Sequence, residues 1–173
     1  LGLYVHWPFC ISKCPYCDFN SHVSSAHDDD AFGTALCHEM THMATLLPNK
    51  RVLTSIFFGG GTPSLMPPWL VEQLIIHAQN LFGFTANIEI TAEANPTSVE
   101  AKLMLEFHKA GINRVSMGVQ SLDDSNLKFL EHLHHLFKNI CIGKYFLLGV
   151  LFLILNSFRV SPLRGIYRHI FKN

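Results

Sequence analysis

The residues best suited to chemistry in this chain of 173 residues are three cysteines, Cys10, Cys14 and Cys17, spaced C-x3-C-x2-C inside the stretch Tyr4 to Asn20. Pro8 and Pro15 break regular structure around them, so the loop can curl and turn three sulfurs inward. Three thiolates can hold three corners of a 4Fe–4S cube. Most cubes take four cysteine ligands, so a triplet leaves one iron open to an exogenous ligand. A structural zinc ion asks instead for four protein ligands. The spacing also suits half of a zinc site, although Cys37 and Cys141 are distant and form no second C-x2-C pair. A disulfide framework fits poorly, because five cysteines is an odd number and no secretory signal peptide is read.

Three further motifs could carry chemistry. Gly59-Gly60-Gly61-Thr62 lets backbone approach a ligand closely. It lacks the Gly-Lys-Ser/Thr of a phosphate-cradling loop. Glu93 opens Glu-Ala-Asn-Pro, and Gln120 follows Gly118-Val119. Taken singly, a glycine triplet reads as a tight turn and a lone acid as a solvated cap. His38-Glu39-Met40-Thr41-His42 has the H-E-x-x-H spacing that puts two imidazoles on one helix face. No clear third ligand follows it, and it reads as a coincidence in a chain with eleven histidines.

The elements that must position these residues follow from periodicity and caps. Strands are expected over Leu1 to Trp7, Val52 to Phe58, Asn87 to Ala92 and Asn113 to Val119. Ser21 to His27 reads as polar linker. Asp28-Asp29-Asp30 supply an N-cap and first-turn acids for a helix to about Leu47. A second helix is expected from Pro68 to Phe82, with proline in its opening turn. A third runs from a cap at Thr97 or Ser98 to about Ala110, with Gly111 as its stop, and a fourth begins near Asp123. Alternating strands and helices predict an α/β fold with a parallel sheet. Each polar motif then follows the C-terminal end of a strand, where such folds build their sites.

Together the motifs carry a resemblance. Y-x-H-x-P-F-C-x3-C-x2-C resembles the radical S-adenosylmethionine (SAM) proteins of the oxygen-independent coproporphyrinogen III oxidase family, most of all its HemW-like heme chaperone branch, from about Leu3 to Leu130. The resemblance implies a partial (βα)6 barrel made of its first four βα units. It implies a 4Fe–4S cluster on Cys10, Cys14 and Cys17, with the amino and carboxylate groups of SAM on the open iron. Reduction would then cleave SAM to methionine and a deoxyadenosyl radical. The implied SAM contacts are Gly60, Gly61, Thr62, Glu93 and Gln120, with Tyr4 and Tyr16 as aromatic contacts. No catalytic residue is implied. His6 reads equally as a satisfied core histidine or a functional one.

Two departures refine these expectations. The coproporphyrinogen dehydrogenases carry a further cysteine where this chain has Phe19, which moves the expectation towards heme handling. Heme or a porphyrin is the implied ligand and an unidentified heme-acceptor protein the implied partner. The alternatives are an oxygen-independent coproporphyrinogen III dehydrogenase and an inactive fragment of either. The family's Gly-Arg-x-His is replaced by Glu131-His132-Leu133-His134. From about residue 133 no match is seen.

Composition agrees with this division. Hydrophobic residues make up 49% and charged residues 15%, which excludes a disordered chain. Residues 1–131 hold seven Lys/Arg and all thirteen Asp/Glu, a net of −6, whereas residues 132–173 hold six Lys/Arg and no acid, a net of +6. Residues 1–131 are therefore expected to form the partial core domain, and 132–173 a hydrophobic, basic tail from a frameshifted or mis-joined continuation. The acidic body gives no reason to expect nucleic acid. The uncharged run Tyr145 to Leu155 is too short to span a membrane, so membrane association is not expected. Free thiols without an export signal predict a reducing, cytoplasmic location.

Overall fold

Strand β1 (Gly2–Trp7) enters the core with Val5 and Trp7 buried. Two short strands, β2 (Phe9–Cys10) and β3 (His22–Val23), flank the cysteine loop, and helix α1 (Asp29–Leu46) follows. Next come β4 (Leu53–Gly60), a 3-10 turn over Pro63–Leu65 and α2 (Pro68–Phe82). The chain continues through β5 (Phe84–Ala94), α3 (Ala101–Lys109) and β6 (Arg114–Met117). This computed structural model describes residues 1–121 except 25, 50, 96–100 and 119. The expected caps at Thr97 or Ser98, the fourth helix near Asp123, the domain boundary at residue 131 and the tail lie outside the described residues.

The main sheet is ordered β1-β4-β5-β6 and is parallel throughout. Strand order follows chain order without reversal. With right-handed crossovers, the three helices therefore fall on one face, as in a barrel wall and unlike a doubly wound sheet. Apolar spacing explains which helix faces turn inward. In α2, Leu70, Val71, Leu74, Ile75, Ala78 and Phe82 form one buried stripe at the helical period. They pack with Ile56 and Phe58 of β4 and with Met104 and Phe107 of α3. Among the described residues no helix is long and apolar enough to cross a membrane.

Local chemistry sets the element ends. Asp28 caps α1 by accepting from the Ala31 amide at 2.9 Å, with Asp29 and Asp30 in the first turn, as its sequence predicts. Gly33 sits where α1 meets α2, and a side chain there would run into Leu70. Gly83 ends α2 at φ +73° and Gly111 follows α3 at φ +111°.

Three features depart from the sequence expectations. β4 does not stop at Phe58 but runs through Gly59 and Gly60, because these pair with His6 and Trp7 of β1. β5 starts at Phe84 rather than Asn87, since Phe84 pairs with Leu53 across an irregular register. The expected linker at residues 21–27 contains β3, which pairs in parallel with β2 as Phe9 with His22 and Cys10 with Val23. Pro8 has no N–H to give, but its carbonyl accepts the His22 amide at 2.7 Å. The cysteine loop is thus closed at its base by backbone bonds, which a pattern of residue types does not reveal.

Candidate functional site

Parallel registers bring four strand ends level. Trp7 lies beside Gly60, Glu93 beside Ser116 and Ala94 beside Met117. At this C-terminal edge the cysteine loop meets the glycine turn. The Gly61 amide donates to the Trp7 carbonyl at 2.6 Å and the Thr62 amide to the Phe9 carbonyl at 3.0 Å. A cavity of about 200 Å³ opens there. Cys14, Tyr16, Cys17 and Phe19 line it from the loop, and Gly60, Gly61, Thr62 and Pro63 from the glycine turn. Glu93, Ala94, Asn95, Ser116, Gly118 and Gln120 complete the wall.

The three cysteines are free thiols but differ in setting. Cys14 and Cys17 are half-buried and face the cavity, and the Cys17 amide donates to the Cys14 carbonyl at 3.0 Å. Cys10 is buried behind them, with the Thr62 hydroxyl 3.6 Å from its sulfur. A Cβ on Gly61 would lie 2.8 Å from Cys10 Sγ and 2.8 Å from the Phe9 carbonyl oxygen. Gly61 therefore leaves the space that sulfur occupies. Among the described residues no three His, Cys, Asp or Glu side chains converge on a point that would hold one metal ion. A cube makes a different demand, since each thiolate takes a different iron and the sulfurs stand apart. Two soft donors in the recess wall and a third buried in the same loop suit an iron–sulfur group better than a hard cation.

The other expected residues divide in two. Tyr16, Gly60, Gly61, Thr62, Glu93 and Gln120 all reach the cavity wall. Tyr4 does not line it. It is exposed on β1, stacks on Phe57 and bonds to His6. Burial, then the negative charge of Glu93, push its phenol above the ordinary 10.0. The Tyr16 phenol is also raised, by burial first and then by its hydrogen bond to Cys14 and the charges of Cys14 and Cys17. Sequence reasoning missed Ser116. Its pairing with Glu93 puts both side chains on one face, and its place in a predicted strand two residues before Gly118 was the available signal. His38 and His42 lie on the exposed face of α1, away from this edge.

Burial holds the Glu93 carboxyl above its ordinary 4.5, and the Gly60 backbone amide partly offsets this by bonding the charged form. A raised carboxyl binds its proton more firmly in the fold than in the unfolded chain. Its contribution to stability is full below the unfolded value and is lost as pH rises through the folded value. Glu93→Gln in the ligand-free protein is therefore expected to be neutral near pH 4 and to gain urea resistance over the parent as pH rises to 7. Parallel urea titrations check this, and a variant that is less stable than the parent at pH 7 would contradict it.

The sequence model of the radical SAM superfamily matches residues 4–142. The chain is 42% identical over 133 residues to radical S-adenosyl methionine domain-containing protein 1, mitochondrial, of Bos taurus, covering 77% of this chain and 30% of the relative. It is 41% identical over 137 residues to heme chaperone HemW of Escherichia coli, covering 78% and 35%. The chain thus spans about a third of the length of these relatives. The fold matches the structure of E. coli coproporphyrinogen III oxidase (HemN), a radical SAM enzyme, with a TM-score of 0.71 at 29% identity, over 91% of this chain and 34% of that one.

Proposed function

The chain belongs to the radical SAM superfamily as a HemW/HemN-like member, and on that premise we propose that it binds a 4Fe–4S cluster and SAM and serves in heme handling. One observation carries the proposal. The cysteine loop, the glycine turn, Glu93 and Gln120, which are far apart in sequence, line one cavity at the C-terminal edge of the sheet. Cys10, Cys14 and Cys17 hold the cluster. Its chemistry when bound is to supply one electron for reductive cleavage of SAM. The chain's own residues do the rest. Gly60 and Gly61 admit the ligand against bare backbone, and the Thr62 hydroxyl bonds the Cys10 sulfur from the side. Glu93 and Gln120 supply polar contacts, and the Tyr16 ring and Cys10's burial keep water from the sulfurs.

The heme chaperone reading draws on the relatives named heme chaperone and on Phe19, which brings an apolar ring rather than a thiol to the cavity wall. Oxidative decarboxylation of a porphyrinogen, as a coproporphyrinogen III dehydrogenase, is the second reading, favoured by the fold match to the oxidase. The heme acceptor would be another protein. Free thiols at the site suit a reducing compartment such as the cytoplasm.

Anaerobic reconstitution with iron and sulfide, followed by separate additions of SAM, heme and coproporphyrinogen, tests this. The expected outcome is a visible cluster absorption, saturable SAM and heme binding, and unchanged coproporphyrinogen. Conversion of coproporphyrinogen would replace the chaperone reading with the dehydrogenase. Absence of iron uptake would remove both.

A further inference from the structure

The H-E-x-x-H pattern, which the cavity leaves unused, becomes a pair of exposed imidazoles on α1. His38 and His42 stand one turn apart inside a helix that continues to Leu46. Residues at i and i+4 of a helix share a face, with Cβ atoms about 5–6 Å apart. Both histidines are exposed, and no hydrogen bond or ion pair ties either ring to another described residue. Glu39 follows His38 by one position, about 100° further round the helix, so its carboxylate leaves on a different face.

The helix beneath the pair is held from its other side. Gly33 and Met40 are buried, Phe32, Leu36 and Ala44 pack against the core, and Asp28 caps the first turn. The two rings are thus presented by a docked helix, and a cation that joins them has only side-chain torsions to order. A zinc protease centre needs a third protein ligand, and among the described residues no third His, Cys, Asp or Glu joins these two. Bidentate binding needs none. Imidazole suits zinc, copper and nickel, whereas magnesium and calcium prefer oxygen ligands.

We propose that His38 and His42 form a surface chelate for one divalent cation of the copper, nickel and zinc class, with water filling the rest of its shell. Neither histidine lines the cavity, so the site is separate from the cysteine loop and stands whether or not the cluster and SAM reading holds. Once one imidazole has bound, the other is already held nearby at high effective concentration, and two linked contacts of this kind exceed either alone by about 100-fold or more.

Ni²⁺ alone is the probe, because cupric ion would oxidise the free thiols. Anaerobic equilibrium dialysis of the full chain compares the parent with His38→Asn, His42→Asn, Glu39→Gln and the double variant His42→Ala/Met43→His. The double variant keeps the number of imidazoles but turns one about 100° off the shared face. The cysteines are the same in all five proteins, so nickel taken up by them cancels in the comparison. The parent and Glu39→Gln are expected to bind one nickel ion with affinities within twofold. In His38→Asn, His42→Asn and the double variant that ion is expected to bind about 100-fold more weakly. Equal binding by the parent and His38→Asn or His42→Asn overturns the proposal. A double variant that matches the parent also overturns it, since spacing would then be irrelevant. So does equal loss in Glu39→Gln, which would make the carboxylate a ligand.

All four substituted positions are exposed, so each variant is expected to keep the parent's circular dichroism. Where one does not, the imidazole resonances of the parent decide. Paramagnetic broadening of His38 and His42 together, before the other histidines and at less than one equivalent of nickel, supports the chelate. Earlier broadening of any other histidine overturns it.

Discussion

Alanine at Cys10, Cys14 or Cys17 is expected to abolish stable iron and sulfide uptake, each substitution alone removing nearly all of the cluster absorption. A cube held at three corners cannot give one up and keep a protein scaffold for its charge. The three cysteines also differ in a way that grades the outcome. Cys10 is buried against Gly61, so Cys10→Ala leaves a small closed hole that an added thiol does not enter. Cys14 and Cys17 face the cavity, and an exogenous thiol can reach them. Added small thiols are therefore expected to restore part of the iron in Cys14→Ala and Cys17→Ala but none in Cys10→Ala. Cys37→Ala serves as the control. Burial pushes the Cys37 thiol up, although Gln73 partly opposes this, so it stays protonated and inert on α1. Iron analysis and visible absorption after gel filtration check the set, and equal uptake by all four variants would remove the cysteines from the site.

The second large effect is expected at Gly60. Its φ of +117° is a conformation that L side chains rarely adopt, at a cost of about 1–3 kcal/mol. A Cβ there would also lie 2.7 Å from the Trp7 carbonyl and 2.8 Å from the His6 ring. The Trp7 carbonyl already accepts the Gly61 amide and cannot retreat without breaking that bond. Crowding of this kind adds about 1–3 kcal/mol. Gly60→Ala is thus expected to cost about 3 kcal/mol or more. Gly83 separates the two causes, because its φ of +73° is also strained but its Cβ would meet nothing within 4 Å. Urea unfolding should show Gly60→Ala at least about 1 kcal/mol worse than Gly83→Ala. Equal losses would mean that backbone strain alone accounts for Gly60.

Much of this architecture is legible from residue types. The helical stripe of α2, the acids that open α1 and the glycines that follow α2 and α3 each leave a mark in sequence, because the chemistry is local. The cysteine loop, glycine turn, Glu93 and Gln120 could be expected together because each follows a strand end, and parallel pairing makes those ends level. Where sequence reasoning fell short, the cause was backbone. β2 and β3 are held by main-chain bonds that any residue with an N–H can make, so residues 21–27 looked like linker. β4 enters the glycines because β1 offers partners, against the ordinary weakness of glycine in strands. His6 could not be decided for the same reason. Its partner at Asn20 is a carbonyl, which every residue possesses. Tyr4 shows the limit of a motif, since its place on β1 was foreseen but its hydroxyl turns to His6 rather than into the cavity wall.

The short ladder between β2 and β3 decides what holds the cysteine loop closed. Joining the ends of a loop of roughly a dozen residues costs about 2 kcal/mol in chain entropy. Here the pairing of Phe9 with His22 and of Cys10 with Val23, with the His22 amide on the Pro8 carbonyl, makes that closure from main chain alone. In small zinc modules the ion itself organises the chain and its binding energy is folding energy. In this chain the loop's ends are joined by main-chain bonds that need no metal, so a bound cluster would add to a closure that β2 and β3 make by themselves.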